Sequence, residues 1–385
     1  MIKFRRETEF KQTEIGEVPR EWKVKKLRDL FKIESGRRPT EVNDNGKFEI
    51  WGANGFMGYT TSYNYCGEFL ITGRVGTLGH VFYIPENIKI WVSDNALIIT
   101  KNKDKVIVKF YFYHLKTRKG EIEELNVGST QPLITQRDLK EIKIPHPSPP
   151  EQSRIATVLS WFDDLIENKK RQNEILEKTA MAIFKSWFVD FEPFKDEEFG
   201  YNEELGKEIP KGWEVKAIGE VVDILYGRGL PESKRKNGSF PVVGSSGIVG
   251  YHAQFLATPP SIVIGRKGNA GSVYLMLEPF YPIDTVFYTG KTTPAITFYI
   301  YHHLKLTPLA EIGMTDTAVP GININNLKAV KIPIPPQPIL QHFHSLVEPL
   351  FQKIIFNQRQ IMVLRKIRDA LLPKLVFGRL RVEEV

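Results

Sequence analysis

The stretch Ile71-Thr-Gly-Arg-Val-Gly-Thr-Leu-Gly79, ITGRVGTLG, returns as Val263-Ile-Gly-Arg-Lys-Gly-Asn-Ala-Gly271, VIGRKGNAG, with Gly-Arg-x-Gly-x-x-Gly at the same spacing. A loop that occurs twice belongs to a duplicated unit. The glycines are spaced three and three, and no Lys-Ser/Thr follows either copy. That pattern fits neither the dinucleotide fingerprint nor the phosphate loop of nucleotide hydrolases, and it argues against a nucleotide cradle.

Outward from the loop, the repeat covers nearly the whole chain of 385 residues. Glu17-Val-Pro-Arg-Glu-Trp22 recurs as Glu208-Ile-Pro-Lys-Gly-Trp213, and Ser35-Gly-Arg37 as Tyr226-Gly-Arg228, both displaced by 191. Asn54-Gly-Phe-Met-Gly-Tyr59 recurs as Ser246-Gly-Ile-Val-Gly-Tyr251, displaced by 192. A period this long describes a duplicated domain with an appendage, not a solenoid or propeller. Short β-rich runs such as Phe69-Leu-Ile-Thr72 and Ser261-Ile-Val-Ile264 lie between glycine, asparagine and proline turns, and Lys105 to Lys119 is the clearest helical segment inside a copy. The expected fold class is α+β: two homologous mixed α/β domains, residues 1–150 and 193–336, each followed by a helical segment, residues 151–192 and 337–385.

The helical segments begin after the proline-rich exits Ile144-Pro-His-Pro-Ser-Pro-Pro150 and Ile332-Pro-Ile-Pro-Pro336. Ile155, Leu159, Phe162, Ile166, Lys169, Asn173, Leu176, Ala180, Ile183 and Trp187 then alternate steps of four and three. Adding 188 to each position yields Phe343, Val347, Leu350, Ile354, Asn357, Ile361, Leu364, Arg368, Leu371 and Leu375. Two such seams predict two long helices paired as a coiled coil, with polar residues at Lys169, Asn173 and Asn357 that select register and partner. Pro349 and Pro373 are expected to kink or end the second helix. If the helices pair antiparallel, the two domains are related by a pseudo-twofold axis. A helix from Glu151 to Asp190 is then a ruler of about 60 Å, or roughly 18 base pairs of duplex DNA.

Composition narrows the partners. The net charge is +8, with Lys234-Arg-Lys236 in a row and eight Lys/Arg against one acid, Asp369, between Lys353 and Arg381. Such a balance favours a polyanion. The one cysteine, Cys66, excludes an internal disulfide and a cysteine-rich zinc site. No apolar run is long enough for a membrane span and none follows the charged start as in a signal peptide, so the expected location is the cytoplasm. Asp94 and Asp284 recur in the two copies without a second carboxylate or a histidine, which suits turn residues better than a hydrolytic site. His342 and His344 have no third ligand near them in sequence, so no metal site is expected.

Four features carry a family resemblance. They are Ile15-Gly-Glu-Val-Pro19 with Trp22; Gly128-Ser-Thr-Gln131; the run Leu176 to Phe191 ending in Phe-Lys-Ser-Trp-Phe-Val-Asp-Phe; and Leu364 to Leu375 with Gly378, Arg381 and Val382. Together they closely resemble the DNA-specificity subunits of type I restriction-modification enzymes. The second copy departs from the pattern with Gly313-Met-Thr-Asp316 in place of Gly-Ser-Thr-Gln, and with Gln341-His-Phe in place of Gln152-Ser-Arg. The resemblance implies that each globular domain is a target recognition domain reading one half of a bipartite site in double-stranded DNA. It implies that the helix pair sets the spacer and docks two methyltransferase subunits, with ATP-dependent restriction subunits joining further out. S-adenosylmethionine, ATP and magnesium would be bound by those partners, and this chain would catalyse nothing. A stand-alone DNA-binding regulator and a structural scaffold are the alternatives.

Arg, Lys, Asn, Gln and Ser on tight loops are the residue types that read base edges and hold phosphates. The candidate DNA contacts are Arg37, Arg38, Asn54, Arg74 and Gln131 in the first copy, and Arg228, Ser246, Arg266, Lys267 and Asn269 in the second. The alternative for the Gly-Arg loops is a plain β-turn whose arginine pairs with a local acid. The helix-pair seam is assigned to Ile155, Leu159, Phe162, Ile166 and Leu176 with Val347, Leu350, Ile354, Ile361 and Leu364.

Overall fold

A computed structural model describes residues 3–102, 105–312 and 321–384. The segment Gly313-Met-Thr-Asp316, where the second copy departs from the first, lies outside the described residues. The chain forms two compact units: Met1–Lys170 with Gln358–Val385, and Arg171–Asn357. Each unit therefore holds one globular domain and part of each long helix.

In the first unit an antiparallel sheet has the order Val81–Ile84, Phe69–Gly73, Ala96–Lys101, Phe31–Ser35. Phe69-Leu-Ile-Thr-Gly73 is buried throughout, as expected for a central strand covered on both faces. A second sheet runs Gly55–Thr60, Phe48–Gly52, Lys89–Val92, Tyr65–Cys66, with Phe48–Gly52 and Lys89–Val92 parallel. The strands Lys23–Lys26 and Lys143–His146 pair where the chain leaves the domain. Pro145 is tolerated there because a two-stranded ribbon leaves one edge free of ladder bonds.

The second unit repeats this plan. Its antiparallel sheet has the order Val273–Met276, Ser261–Gly265, Val286–Thr289, Ile224–Tyr226, and its second sheet Gly247–His252, Phe240–Gly244, Tyr281–Pro282. Glu214–Ala217 pairs with Lys331–Ile334 at the exit, again across a proline. One helix per domain packs on the main sheet, Val108–Thr117 in the first and Pro294–Leu306 in the second. The second is stronger than the sequence suggested: the Thr293 hydroxyl caps it by accepting from the Ile296 amide, and Pro294 opens its first turn.

The long helices are Pro149–Phe188 and Gln337–Val376, each of 40 residues. Pro349 does not end the second one, which runs unbroken past it. Burial of Phe343, Val347, Phe351 and Ile354 on either side offsets the missing amide hydrogen bond. In the first unit Ile155, Leu159 and Phe162 share a core with Leu371, Leu372, Leu375 and Val376, and Arg368 Nη1 donates to Asp163 Oδ1 at 2.6 Å. Early positions of one helix thus meet late positions of the other, so the segments run antiparallel.

In the second unit Phe184 and Phe188 pack on Phe343, with centroids 5.8 and 5.0 Å away. Further along, Asn357 Nδ2 donates to Asn173 Oδ1 at 2.9 Å. Those pairings are antiparallel as well. All ten assigned seam residues are buried or half-buried. The run ending at Phe191 also packs into this core, because Phe188 and Phe191 close on Trp213 at 5.9 and 5.5 Å.

The chain ends meet in the first unit, where Lys3–Arg6 pairs antiparallel with Leu380–Glu384. Gly378 has φ +69° and lies against Pro19 and Trp22, a close approach that a side chain would block. Beside it, the Arg381 guanidinium lies between Glu7, Glu151 and Glu21 and over the Trp22 ring. Trp22 Nε1 donates to Glu151 Oε2 at 3.0 Å, completing a buried polar cluster.

Candidate nucleic-acid interface

The Gly-Arg loop of the first unit follows the buried strand Phe69–Gly73. It is tied down by its own backbone, since the amides of Arg74 and Val75 both donate to the Asn95 carbonyl, at 2.8 and 3.1 Å. Two other loops meet at or just before the turn Ser93-Asp94-Asn95, and a third bonds to the Gly-Arg loop itself. The Arg37 amide donates to the Val92 carbonyl at 2.9 Å. The Ala53 amide, in the turn that carries Asn54, donates to Asn95 Oδ1 at 3.2 Å. The loop of Gln131 joins through the Gly76 amide, which donates to the Pro132 carbonyl at 2.9 Å. Gly36 is required by this arrangement, because a Cβ there would run into the Ser93 carbonyl.

The second unit builds the same constellation on Ile283-Asp284-Thr285. The Arg266 and Lys267 amides donate to the Thr285 carbonyl at 2.9 and 3.2 Å, and the Arg228 amide to the Pro282 carbonyl at 3.0 Å. The Ser245 amide, beside Ser246, donates to Thr285 Oγ1 at 3.3 Å. Asn269 is held by its amide against Ser245 Oγ at 3.4 Å. A Cβ on Gly227 would meet the Ile283 carbonyl, matching Gly36.

The matched arginines do not pair with a local acid. Arg74 Nη1 donates weakly to the backbone carbonyl of Asp94 at 3.3 Å, and Arg266 Nη1 stands 3.5 Å from that of Asp284. Arg266 also lies over the rings of Tyr226 and Phe287, at 5.2 and 5.9 Å from the centroids. Those rings orient its guanidinium while leaving most of its donors open. Among the described residues none of Arg37, Arg38, Arg74, Arg228, Arg266 and Lys267 forms an ion pair. Arg37, Arg38, Asn54, Gln131, Arg228, Ser246, Lys267 and Asn269 are exposed, and Arg74 and Arg266 half-exposed. Each unit thus presents an uncompensated cationic surface with side-chain amide or hydroxyl groups beside it.

Sequence reasoning missed the hubs. Asn95 and Thr285 organise the loops through side chain and carbonyl alike, and their signal was the recurrence of an Asp followed by a short polar residue. Arg38 follows Arg37, but among the described residues no further bond ties it to the other loops. Asp94 and Asp284 are turn residues. His342 packs edge-on against Trp187 at 5.1 Å, and among the described residues no group of three or more His, Cys, Asp or Glu converges as for a metal ion. No helix among the described residues is long and apolar enough to cross a membrane.

Two matched β-rich domains, each with an open cationic loop surface and joined by long helices, define a duplicated recognition protein. The family model described as the type I restriction modification DNA specificity domain matches residues 19–178 and again 210–365. The chain belongs to the type I restriction-modification specificity subunits, the non-catalytic members of those systems, and carries two target recognition domains. It is 40% identical to the MjaIX specificity subunit of Methanocaldococcus jannaschii, over 100% of this chain and 99% of that one. It is 26% identical to a specificity subunit of Mycoplasma genitalium, over 92% and 93%. A crystal structure of a type I system S subunit from M. genitalium has the same fold, with TM-score 0.63 at 23% identity over 92% of this chain and 96% of that one.

Proposed function

We propose that each globular domain reads one half of a bipartite site in double-stranded DNA. The observation that carries this reading is the pair of loop surfaces, which gather Arg37, Asn54 and Arg74, with Gln131 beside the Gly-Arg loop, in one unit, and Arg228, Ser246, Arg266, Lys267 and Asn269 around the equivalent turn in the other. Arginine without a protein counter-ion suits phosphate or guanine, and asparagine and serine beside it suit base edges.

The long helices would set the spacer and dock two methyltransferase subunits. Exposed apolar side chains along them support docking: Trp161, Leu165, Val363 and Ile367 in the first unit, and Ile175, Leu346 and Phe356 in the second. Neighbouring exposed apolar side chains such as Trp161 with Leu165 and Val363 with Ile367 suit a protein contact. Restriction subunits would join through the assembled complex, and S-adenosylmethionine, ATP and magnesium would be held by those partners in the cytoplasm.

The test is to sequence methylated adenines in the source genome with this gene intact and with it deleted. Loss of a split motif, two short half-sites with a fixed gap, is the expected result. Unchanged adenine methylation while the methyltransferase is expressed would overturn the reading.

A further inference from the structure

The hairpin at the edge of the second sheet breaks the usual alternation. A strand with one face on the core turns polar residues to solvent. In the first unit Phe56, Met57 and Tyr59 are instead 50, 52 and 39% exposed, and in the second Ile248, Val249 and Tyr251 are 56, 40 and 44% exposed. The positions correspond one to one. Both strand pairs carry a register irregularity at the equivalent place, between Ile50 and Trp51 and between Val242 and Val243. Matching glycines bend both strands, Gly58 at φ 147° and Gly250 at φ 149°. Both Gly55–Thr60 and Gly247–His252 are edge strands, and each leaves directly from the turn that carries Asn54 or Ser246.

Cations flank this apolar row in the second unit. In the second unit Arg235 Nη1 donates to the Val249 carbonyl at 2.7 Å, and the Lys236 amide donates to His252 Nδ1 at 2.9 Å. The run Lys234-Arg235-Lys236 is thereby fixed along the hairpin, and among the described residues none of the three forms an ion pair. In the first unit the segment after Arg37-Arg38 crosses the hairpin without a cation at the crossing: the Asn43 amide donates to the Tyr59 carbonyl at 2.8 Å, and the Glu41 carboxylate accepts from the Thr61 amide at 3.3 Å. Apolar side chains bordered by unpaired cations complement a surface with apolar groups between rows of anions. A DNA groove has that chemistry, and a two-stranded ribbon fits it.

We infer that in each unit this hairpin enters a DNA groove, with the apolar row against base edges and sugars and, in the second unit, the flanking cations on phosphates. The inference rests on the DNA-reading proposal and adds a non-ionic contact to it. The experiment uses the full chain assembled with its methyltransferase subunits, and a duplex carrying the motif found by methylome sequencing. Dissociation constants are measured over a range of salt for wild type, for Ile248→Thr with Val249→Thr, and for Lys234→Ala with Lys236→Ala. Threonine keeps the β-branched shape, so the strand is preserved.

The apolar variant is expected to lose roughly tenfold or more in affinity with an unchanged salt slope, because no phosphate contact is removed. The defect should follow changes in one half-site only. The lysine variant is expected to lower the salt slope by roughly two, one per phosphate contact. Wild-type affinity and methylation by the apolar variant would overturn the inference. So would unchanged DNA affinity with lost subunit assembly, which would make the row a protein contact. A wild-type complex without specific affinity would instead bring down the DNA-reading proposal itself, and this inference with it.

Discussion

Asn357 Nδ2 donates to Asn173 Oδ1 at 2.9 Å, and Asn357 is fully buried between the helix segments of the second unit. Its Oδ1 has no hydrogen-bond partner among the described residues. A buried amide of this kind is less stabilising than leucine, but it disfavours any register that leaves it unpaired. Asn173→Leu with Asn357→Leu is therefore expected to raise the thermal midpoint, by about 1 to 2 kcal/mol in stability. The same change should admit additional helix pairings, seen as mixed oligomers in native mass spectrometry. A single oligomeric state in the double variant would show that the amides do not set the register.

Arg381 predicts a stability effect in the first unit. Its guanidinium sits against Glu7 and Glu151, whose side chains are both only 4% exposed. Arg381→Met should cost about 3 to 5 kcal/mol, since two buried carboxylates lose their counter-charge. The sign with pH follows from Glu7. Burial works against its ionisation, and the amides of Glu9 and Thr8 together with Arg381 outweigh that, holding the carboxyl below its ordinary value. In wild type this contribution is present above the ordinary carboxylate range and is lost as pH falls through the lowered value. Without Arg381 the Glu7 carboxyl loses one of the groups that hold its value down, so the gap between the two proteins should narrow as pH falls. Urea midpoints from pH 7 down to pH 3, through and below the ordinary carboxylate range, would measure it.

Three histidines predict a second pH effect. Burial is the main cause holding His114 at about 3, His302 at about 4 and His303 at about 3. Above the unfolded value, near 6.5, neither state carries the proton and the full stability is present. Below it the unfolded chain takes up protons that the folded chain refuses, so stability falls with pH, by up to about 1.4 kcal/mol per pH unit for each histidine. His114→Phe should flatten this slope for the first unit, because the ring already packs among Phe110 and Phe377 and phenylalanine does not titrate. An unchanged difference between wild type and variant from pH 7 to pH 4.5 would contradict the assignment.

On the proposed DNA-reading role, Arg74 and Arg266 are expected to serve one half-site each. Arg266→Ala is expected to weaken binding by about 1 to 3 kcal/mol, or to relax one base in the second unit's half-site, and to leave the other half-site unaltered. Arg74→Ala should do the same for the first unit. Binding measured against single-base substitutions separates the roles, because equal loss on unrelated sequences would make the arginine a phosphate anchor.

Much of this protein was legible in the sequence because the relevant order is local and periodic. The duplication shows in fixed displacements of 188 to 192 residues between short motifs. The long helices show in the alternation of three and four, and their polar layer in Asn173 and Asn357 breaking it. The charged seam position Arg368 was visible, but not its partner Asp163, since a seam specifies facing positions and not how a long side chain reaches between them. Only the tertiary structure decided what the loops do together. Arg37, Asn54, Arg74 and Gln131 are far apart along the chain, and what unites them is a set of hydrogen bonds among their loops, Val92 and Asn95, which carries no sequence period. The same holds for the Arg381 cluster, built where the two chain ends pair. It holds also for the apolar edge hairpins, which the sequence showed only as a repeated motif. They are exposed because a bulge and a glycine of positive φ turn both faces of the edge strand outward.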